Sequence, residues 1–526
     1  MPKAVLIDPS AFASLEPDER IFAQAGGEFV FSPCESADEI IAAAHDADIL
    51  MVVYRNFISR SILEHLPNCK AVVRHGIGVD NIDVEAATDL GILVINNPTY
   101  CIEEVSDMAI ALLLACTRRI PLLDRVVRTG TWQNALARPG YRVCGSTLGL
   151  VGLGRIAQRV AEKARGFGMR LLAYDPYVSE DRAKQMGVEL CTLDTIIAES
   201  DFLTVHLPKT PDTLGLINRD LLLKAKPTLR VINVARGGIV DEADLAECVR
   251  EGVIAGAALD VFDVEPTTES PLFELDSVVV TPHLGASTRE AQDKAGDTIA
   301  SMVQLALDGE FVPFAVNVNA AEANETLRPF LPLAERLGGL FVSLVGGLPT
   351  ELEICTEGEI AGYDTRILEL AALKGFFGGI SDEAVTYVNA PQLAKDHGVD
   401  VREVSTATAT DYVNLLTLRG GGHSISGTLS GHRGEQRIVN IDDVPFDVPP
   451  VDHMVIISND DRPGVIGTVG TMLGNAGVNI ADMDVSRVEG SDTAVMLIAP
   501  TEGVPAQLLD DLRVAPGILS VTALSV

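Results

Sequence analysis

Arg236, Glu265 and His283 each follow a short, largely apolar run: Val231-Ile232-Asn233-Val234, Ala258-Leu259-Asp260-Val261 and Val279-Val280-Thr281-Pro282. Runs of this kind, alternating with helical patterns, read as buried parallel strands, and ligands bind at the carboxyl ends of such strands. Taken singly, each residue has an ordinary explanation: a surface ion pair, a carboxylate before a proline turn, a loop histidine. Together they suit the oxidation of a secondary alcohol that carries a carboxylate. Histidine takes the hydroxyl proton near neutral pH, a neighbouring glutamate stabilises the imidazolium, and arginine fixes the carboxylate.

Such chemistry needs a hydride acceptor, and a second pattern offers a place for one. Leu148-Gly149-Leu150-Val151 reads as a buried strand, followed by Gly152-Leu153-Gly154-Arg155-Ile156-Ala157 and a helical stretch reaching Phe167. Gly152 permits a tight turn, Gly154 lets the backbone approach a pyrophosphate, and Ala157 is small enough for close helix packing. The helix N-terminus offers unpaired N–H groups to the anion. The next strand ends at Asp175, 21 residues after Gly154. A carboxylate there accepts ribose hydroxyls and repels an added 2′-phosphate, so the pattern points to NAD rather than NADP.

These residues need a scaffold to bring them together. Strands are expected at Lys3 to Ile7, Ile49 to Val53, Ala71 to Arg74 and Ile92 to Ile95. A second set is expected at Leu148 to Val151, Arg170 to Tyr174, Phe202 to His206, Val231 to Val234, Ala255 to Asp260 and Val278 to Thr281. A helix from Glu103 to about Arg119 separates the sets, and one from about Thr288 to Leu307 leads the chain back. The expected fold is therefore α/β, with two doubly wound parallel-sheet units. A Rossmann-like cofactor unit (99–287) is inserted in a flavodoxin-like substrate unit (1–98 with 288–318). Beyond Val318 the alternation stops: Leu327 to Leu344 reads as one helix and Val401 to Arg433 as strands with Gly-rich turns. Two α+β units are expected there, 319–448 and 452–526, divided where Pro449-Pro450 interrupts regular structure.

At 526 residues the chain is long enough for three or four such units. Lys+Arg 40 against Asp+Glu 74 leaves a net charge of −34. That field repels nucleic acid and anionic lipid, so neither is an expected partner, and an anionic substrate needs local basic groups. The eight cysteines form no CxxC pair, which argues against a metal centre or a disulfide framework and for a reducing compartment. The longest apolar run, Met108 to Cys116, is too short to span a membrane, and MPKAVLID carries no leader pattern, so a cytoplasmic protein is expected.

VINVARGGIVDEADL, GAALDVFDVEPTTESPLFELDSVVVTPHLGAST and the glycine loop together resemble the D-isomer-specific 2-hydroxyacid dehydrogenases. The resemblance implies Arg236 as carboxylate anchor, His283 as acid/base and Glu265 as its orienting partner. It also implies NAD contacts at Gly152, Gly154, Arg155, Ile156, Asp175, Val234, Asp260 and Gly285. Arg74-His75-Gly76-Ile77-Gly78-Val79-Asp80 is similar to the family's substrate loop, with backbone N–H groups at Gly76 and Ile77. Arg55 matches the phosphate-binding arginine of the phosphoglycerate dehydrogenase branch, whereas His75 and Asn97-Pro98-Thr99-Tyr100-Cys101 depart from that branch.

Glu369 to Lys374, Tyr387-Val388-Asn389-Ala390-Pro391 and Ser426 to Gly431 resemble the intervening domain of the long members of that branch, and 452–526 resembles an ACT domain. The resemblance implies L-serine as effector at Asn459, Asp461 and Asn479, shared across a subunit boundary, and hence a homo-oligomer, dimer or tetramer. The implied activity is NAD-dependent oxidation of D-3-phosphoglycerate to 3-phosphohydroxypyruvate, which opens serine synthesis. Another D-2-hydroxy acid is the alternative substrate, and a non-catalytic NAD sensor would need only the nucleotide site.

Overall fold

The first apolar runs become the centre of a parallel sheet, because strands covered on both faces have no polar side to show. A computed structural model describes residues 1–8, 19–20, 22–23, 26–53, 56–138, 140–318, 324–381, 385–431, 433–488 and 490–526. The first sheet has the spatial order Glu28–Phe31, Lys3–Leu6, Ile49–Val52, Ala71–Arg74, Leu93–Ile95. This is the flavodoxin-like arrangement. The second sheet is also parallel, with seven strands in the order Val278–Val280, Gly256–Leu259, Arg230–Asn233, Phe202–Val205, Thr147–Val151, Arg170–Tyr174, Glu189–Leu190. Its order reverses between Thr147–Val151 and Phe202–Val205, which opens the crevice of a Rossmann fold above the glycine turn. Glu28–Phe31 and Glu189–Leu190 were not expected. Both are short edge strands, and an edge needs too few buried residues to leave an apolar run.

Helix α1 (Ile102–Thr117) leads from the first sheet to the second, which holds α2 (Arg155–Gly166) and α3 (Glu242–Arg250). The long α4 (Arg289–Leu307) returns the chain, and the segment after it is stitched back to the first sheet. There Val316 N–H donates to the Val94 carbonyl at 2.8 Å and Val94 N–H to Asn317 Oδ1 at 2.9 Å. The two crossings are also tied to each other, by Lys294 Nζ to the Thr99 carbonyl (2.8 Å) and Asn97 Nδ2 to the Ala295 carbonyl (3.3 Å). Asn97 and Thr99 thus belong to the paired crossings between the two sheets.

The third sheet is mixed and six-stranded: Asp400–Thr406, Glu351–Gly358, Asn414–Gly420, His423–Ser430, Glu435–Ile441, Val444–Val448. Glu351–Gly358 sets buried Leu352, Ile354 and Thr356 on one face and half-exposed Glu353 and Glu357 on the other, where buried Cys355 interrupts the polar pattern. Helix α5 (Leu331–Val345) packs on this sheet and is crossed closely by α6 (Arg366–Gly378), with Gly338 facing Ala372 and Gly375 facing Glu335. A Cβ at Gly338 would lie 2.0 Å from the Ala372 carbonyl oxygen, so a larger residue would force the helices apart. The unit docks on the first sheet through Lys374 Nζ to the Gly309 carbonyl (2.9 Å) and Thr386 Oγ1 to the Gly91 carbonyl (3.3 Å).

The last sheet is antiparallel: Ile480–Arg487, Thr493–Pro500, His453–Asp460, Ile518–Ser525. Val455, Ile457, Met496 and Ile498 pack under the helices Val465–Asn475 and Ala506–Arg513. Met454, Leu497, Ala499 and Leu524 face the other way and join the core built around α5. Among the described residues no helix is long and apolar enough to cross a membrane, and no metal-ligating cluster occurs.

Candidate active site

Between the first two units lies a cleft of about 550 Å³ lined by Arg74, His75, Tyr100, Glu265, His283 and Gln292, among others. His283 lies just beyond the strand Val278–Val280 with φ of 56°, a left-handed conformation that a non-glycine residue holds only when its surroundings dictate it. Asp260, 1% exposed, does the dictating. Its carbonyl accepts His283 N–H at 2.8 Å, Oδ1 accepts Thr281 Oγ1 (2.6 Å) and Leu284 N–H (2.8 Å), and Oδ2 accepts Gly285 N–H (2.7 Å). The Asp260 carboxylate is therefore engaged with the loop that carries the histidine, a use the sequence reading did not anticipate.

Glu265 Oε2 lies 2.6 Å from His283 Nδ1, while Oε1 accepts Phe262 N–H at 2.8 Å. Burial pulls the Glu265 carboxyl upward. The His283 bond and charge, the Phe262 N–H and the Arg236 charge outweigh it, leaving the pKa below the ordinary value. A carboxylate held ionised on Nδ1 leaves Nε2 as the nitrogen free to exchange a proton.

Arg236 sits in a turn closed by Asn233, whose Nδ2 donates to the Arg236 carbonyl at 2.9 Å. The guanidinium reaches across the cleft: Nε donates to Asp80 Oδ2 at 2.8 Å, in the other unit. Asp80 stands at the end of the substrate loop, where nothing local reveals a partner 156 residues away. Arg74 was missed in the same way. Its guanidinium is sunk in the cleft wall, its Nε is buried without a hydrogen-bond partner, and among the described residues it forms no ion pair. Burial, helped by repulsion from Arg236, pushes its pKa down to about 10. His75 is buried, and burial with Arg74 beside it lowers its pKa to about 3, so it stays neutral and takes no part in proton transfer near pH 7. Burial pushes the Tyr100 phenol upward, so it remains a neutral donor. The carbonyls of Gly76 and Ile77 accept from Asn97 N–H and Asn96 Nδ2, whereas their own N–H groups donate to nothing among the described residues. Arg55 lies outside the described residues.

At the opposite end of the crevice Gly152 has φ of 90°, and Gly154 caps α2 without a side chain. A Cβ at Gly154 would meet nothing within 4 Å, so the first turn, with Arg155 and Ile156, is open on that side to an anion. Asp175 ends its strand with Oδ2 on Leu153 N–H (2.8 Å) and Oδ1 on Tyr177 N–H (2.9 Å), which fixes the carboxylate at the rim. Val234 directly follows the strand Arg230–Asn233, and Gly285 stands two residues after His283. An open anion cradle, a fixed carboxylate and a cleft ending at an acid/base pair fit a nicotinamide dinucleotide.

The NAD-binding domain model of the D-isomer specific 2-hydroxyacid dehydrogenases matches residues 110–285, the D-3-phosphoglycerate dehydrogenase intervening domain 326–442, and the ACT domain 453–517. The D-3-phosphoglycerate dehydrogenase of Mycobacterium tuberculosis is 45% identical over 91% of this chain and 90% of its own length. The chain belongs to the D-3-phosphoglycerate dehydrogenase family. That of Synechocystis is 41% identical over 92% of this chain and 88% of its own. Among solved structures, the D-lactate dehydrogenase of Aquifex aeolicus in complex with NAD and lactic acid matches 59% of this chain and 96% of its own, at 26% identity and a TM-score of 0.52. The chain is an NAD-dependent dehydrogenase with an ACT domain, the type of module that takes a small-molecule effector.

Within that domain the three implied effector residues do not meet. Asn459 and Asp461 lie where His453–Asp460 ends, and Asn459 pairs with Ala494. Asn479 precedes Ile480, which pairs with Pro500 at the far end of the same strand, and its carbonyl accepts Thr501 N–H at 3.0 Å. From Ala494 to Pro500 is about 20 Å of strand. Asn459 is 3% exposed and its Oδ1 is buried without a partner.

Proposed function

We propose that this chain oxidises D-3-phosphoglycerate to 3-phosphohydroxypyruvate with NAD, the reaction that opens serine synthesis, in the cytoplasm and as a homo-oligomer. The single observation that carries the choice of substrate is Arg74. A guanidinium sunk in the wall with no ion pair among the described residues, close to the Arg236 that anchors the α-carboxylate, calls for a substrate with a second negative group. His283 Nε2 takes the C2 hydroxyl proton, Glu265 stabilises the imidazolium, and Arg236 with the Gly76 and Ile77 N–H groups holds the carboxylate. NAD, held by the glycine turn and Asp175, would supply the hydride acceptor. Arg74 and Arg55 meet the phosphate. A mere NAD sensor has no use for a histidine locked against a glutamate at 2.6 Å. The test is an NAD-coupled rate screen over phosphorylated and unphosphorylated 2-hydroxy acids, in which kcat/KM is expected to be highest for D-3-phosphoglycerate. A higher value for an unphosphorylated acid would overturn the substrate and leave the chemistry standing.

Gly152, Gly154, Arg155, Ile156 and Asp175 hold the adenosine and pyrophosphate side in this reading, and Val234, Asp260 and Gly285 line the nicotinamide side. Asp175→Ala is expected to narrow the preference for NAD over NADP, since it removes ribose hydrogen bonds and phosphate repulsion together. Comparing kcat/KM with both cofactors checks it.

The Glu265–His283 pairing predicts a direction for the pH profile. Because the folded pKa of Glu265 lies below its ordinary value, the pairing is at full strength above the ordinary carboxylate range and is lost as pH falls through the depressed value. Glu265→Gln removes the charge that favours the imidazolium. The acid limb of oxidation and the alkaline limb of reduction should both move down. Limbs that stayed in place would separate Glu265 from the proton chemistry.

L-Serine is the proposed effector, bound between two chains, with Asn459 and Asp461 from one and Asn479 from the other. Their separation within one ACT domain supports a shared site. Asn479→Ala is expected to leave uninhibited turnover intact and weaken serine inhibition, read from an inhibition curve and from calorimetry on the full chain. The full chain is required because removing 452–526 would bare the surface that Met454, Leu497 and Leu524 cover. Calorimetry without binding would mean a different effector.

A further inference from the structure

Behind the Glu265–His283 pair, outside the cleft, stands a carboxylate that none of these roles uses. Glu242 is the first residue of α3, just after the Arg236 turn, and its Oε1 accepts Asp263 N–H at 2.7 Å. Asp263 belongs to the turn 262–265 that presents Glu265. The same turn touches the Arg236 loop backbone to backbone, since a Cβ on Gly237 would lie only 1.9 Å from the Phe262 carbonyl carbon. On the other side Lys209 Nζ meets Asp263 Oδ1 at 2.9 Å. Val264, in the middle of the turn, is 71% exposed, so its side chain contributes little packing, and polar ties hold this part of the turn.

We propose that Glu242 is a positioning residue that fixes the 262–265 turn from behind and so keeps Glu265 Oε2 on His283 Nδ1. The idea rests on the acid/base reading of His283 and Glu265 above. Glu265 spends Oε1 on its own turn and reaches the histidine only with Oε2, so a small rotation of the turn breaks the contact that matters. What Glu242 supplies is an acceptor at the right distance. Its charge is a burden, because Asp241, Asp263 and Glu265 all face it and Lys209 reaches only Asp263. Burial and those three acids push its pKa up against the pull of the Asp263 N–H. A glutamine, with an amide oxygen at the same reach, should therefore serve nearly as well. Alanine has no acceptor and aspartate falls one methylene short.

The experiment compares Glu242→Ala, Glu242→Asp and Glu242→Gln in the full chain, with His283→Asn alongside. Alanine and aspartate are expected to lower kcat about tenfold, the scale of one lost hydrogen bond, with KM for the hydroxy acid and Kd for NAD within about twofold. Their acid limb of oxidation should move to lower pH as it does in Glu265→Gln, and glutamine should recover most of kcat and restore the limb. Glu265 on His283 Nδ1, Asp260 on the His283 loop and Arg236, whose charge acts on Glu265, are unchanged in all three variants, so a moved limb reports their geometry. Unchanged kcat in the alanine and aspartate variants, equal losses in all three, or a lower kcat with an unmoved limb would each overturn the proposal. An active His283→Asn would instead overturn the acid/base reading beneath it.

Discussion

His283→Asn lowers kcat by about 10²- to 10⁴-fold, the usual contribution of a positioned acid/base, and leaves NAD affinity within a small factor. Asparagine is a fair replacement because it tolerates the left-handed backbone, φ of 56°, that Asp260 imposes at this position. The loop therefore keeps its hydrogen bonds to Asp260, and the variant loses the proton carrier rather than the scaffold. NAD binding is expected to persist because the glycine turn and Asp175 belong to other strands of the sheet. Tryptic stability and NAD titration serve as controls beside the rate. Near-normal turnover would mean that the proton leaves by another route, for which the neutral, buried His75 is no substitute.

Arg236, Glu265 and His283 were legible as a candidate site because each follows an apolar run, and in a parallel sheet that is also where the cleft opens. The glycine turn was legible for the same reason. Part of what the sequence did not disclose lies across boundaries between units. Arg74 closes the run Ala71–Arg74 and looks like any charged strand end, and only packing of the two units buries it against Arg236. Asp80 acquires its meaning from Arg236 across the cleft. Asp260 also holds the His283 loop, a use the sequence does not disclose because hydrogen bonds to backbone leave no trace in residue type. Glu28–Phe31 and Glu189–Leu190 escaped because edge strands need little apolar surface. The strand Glu351–Gly358 was missed because its charged alternate residues hide the apolar face. The opposed positions of Asn459 and Asn479 follow from antiparallel register, which a motif by itself does not reveal.

Arg74→Met is expected to raise KM for D-3-phosphoglycerate ten- to more than a hundredfold, the range that corresponds to a charged hydrogen bond of about 1.5 to 3 kcal/mol. For an unphosphorylated 2-hydroxy acid the rise should be small, because Arg236 and the Gly76 and Ile77 N–H groups still hold its carboxylate. The same substitution should leave the protein no less stable. A guanidinium whose pKa has fallen to about 10 is charged at neutral pH at a cost of up to roughly 3 kcal/mol, and that cost is present at every pH below the folded value. Methionine fills similar space without it, so the melting temperature is expected to hold or rise while affinity falls. That opposition distinguishes a substrate group from a structural one: an arginine that served the fold would lose stability and both substrates together. Equal effects on phosphorylated and unphosphorylated acids would show that Arg74 does not read the phosphate. The second negative group would then have to be met by Arg55 or by the Tyr100 hydroxyl, and Arg55→Ala tested on the same two substrates would decide between them.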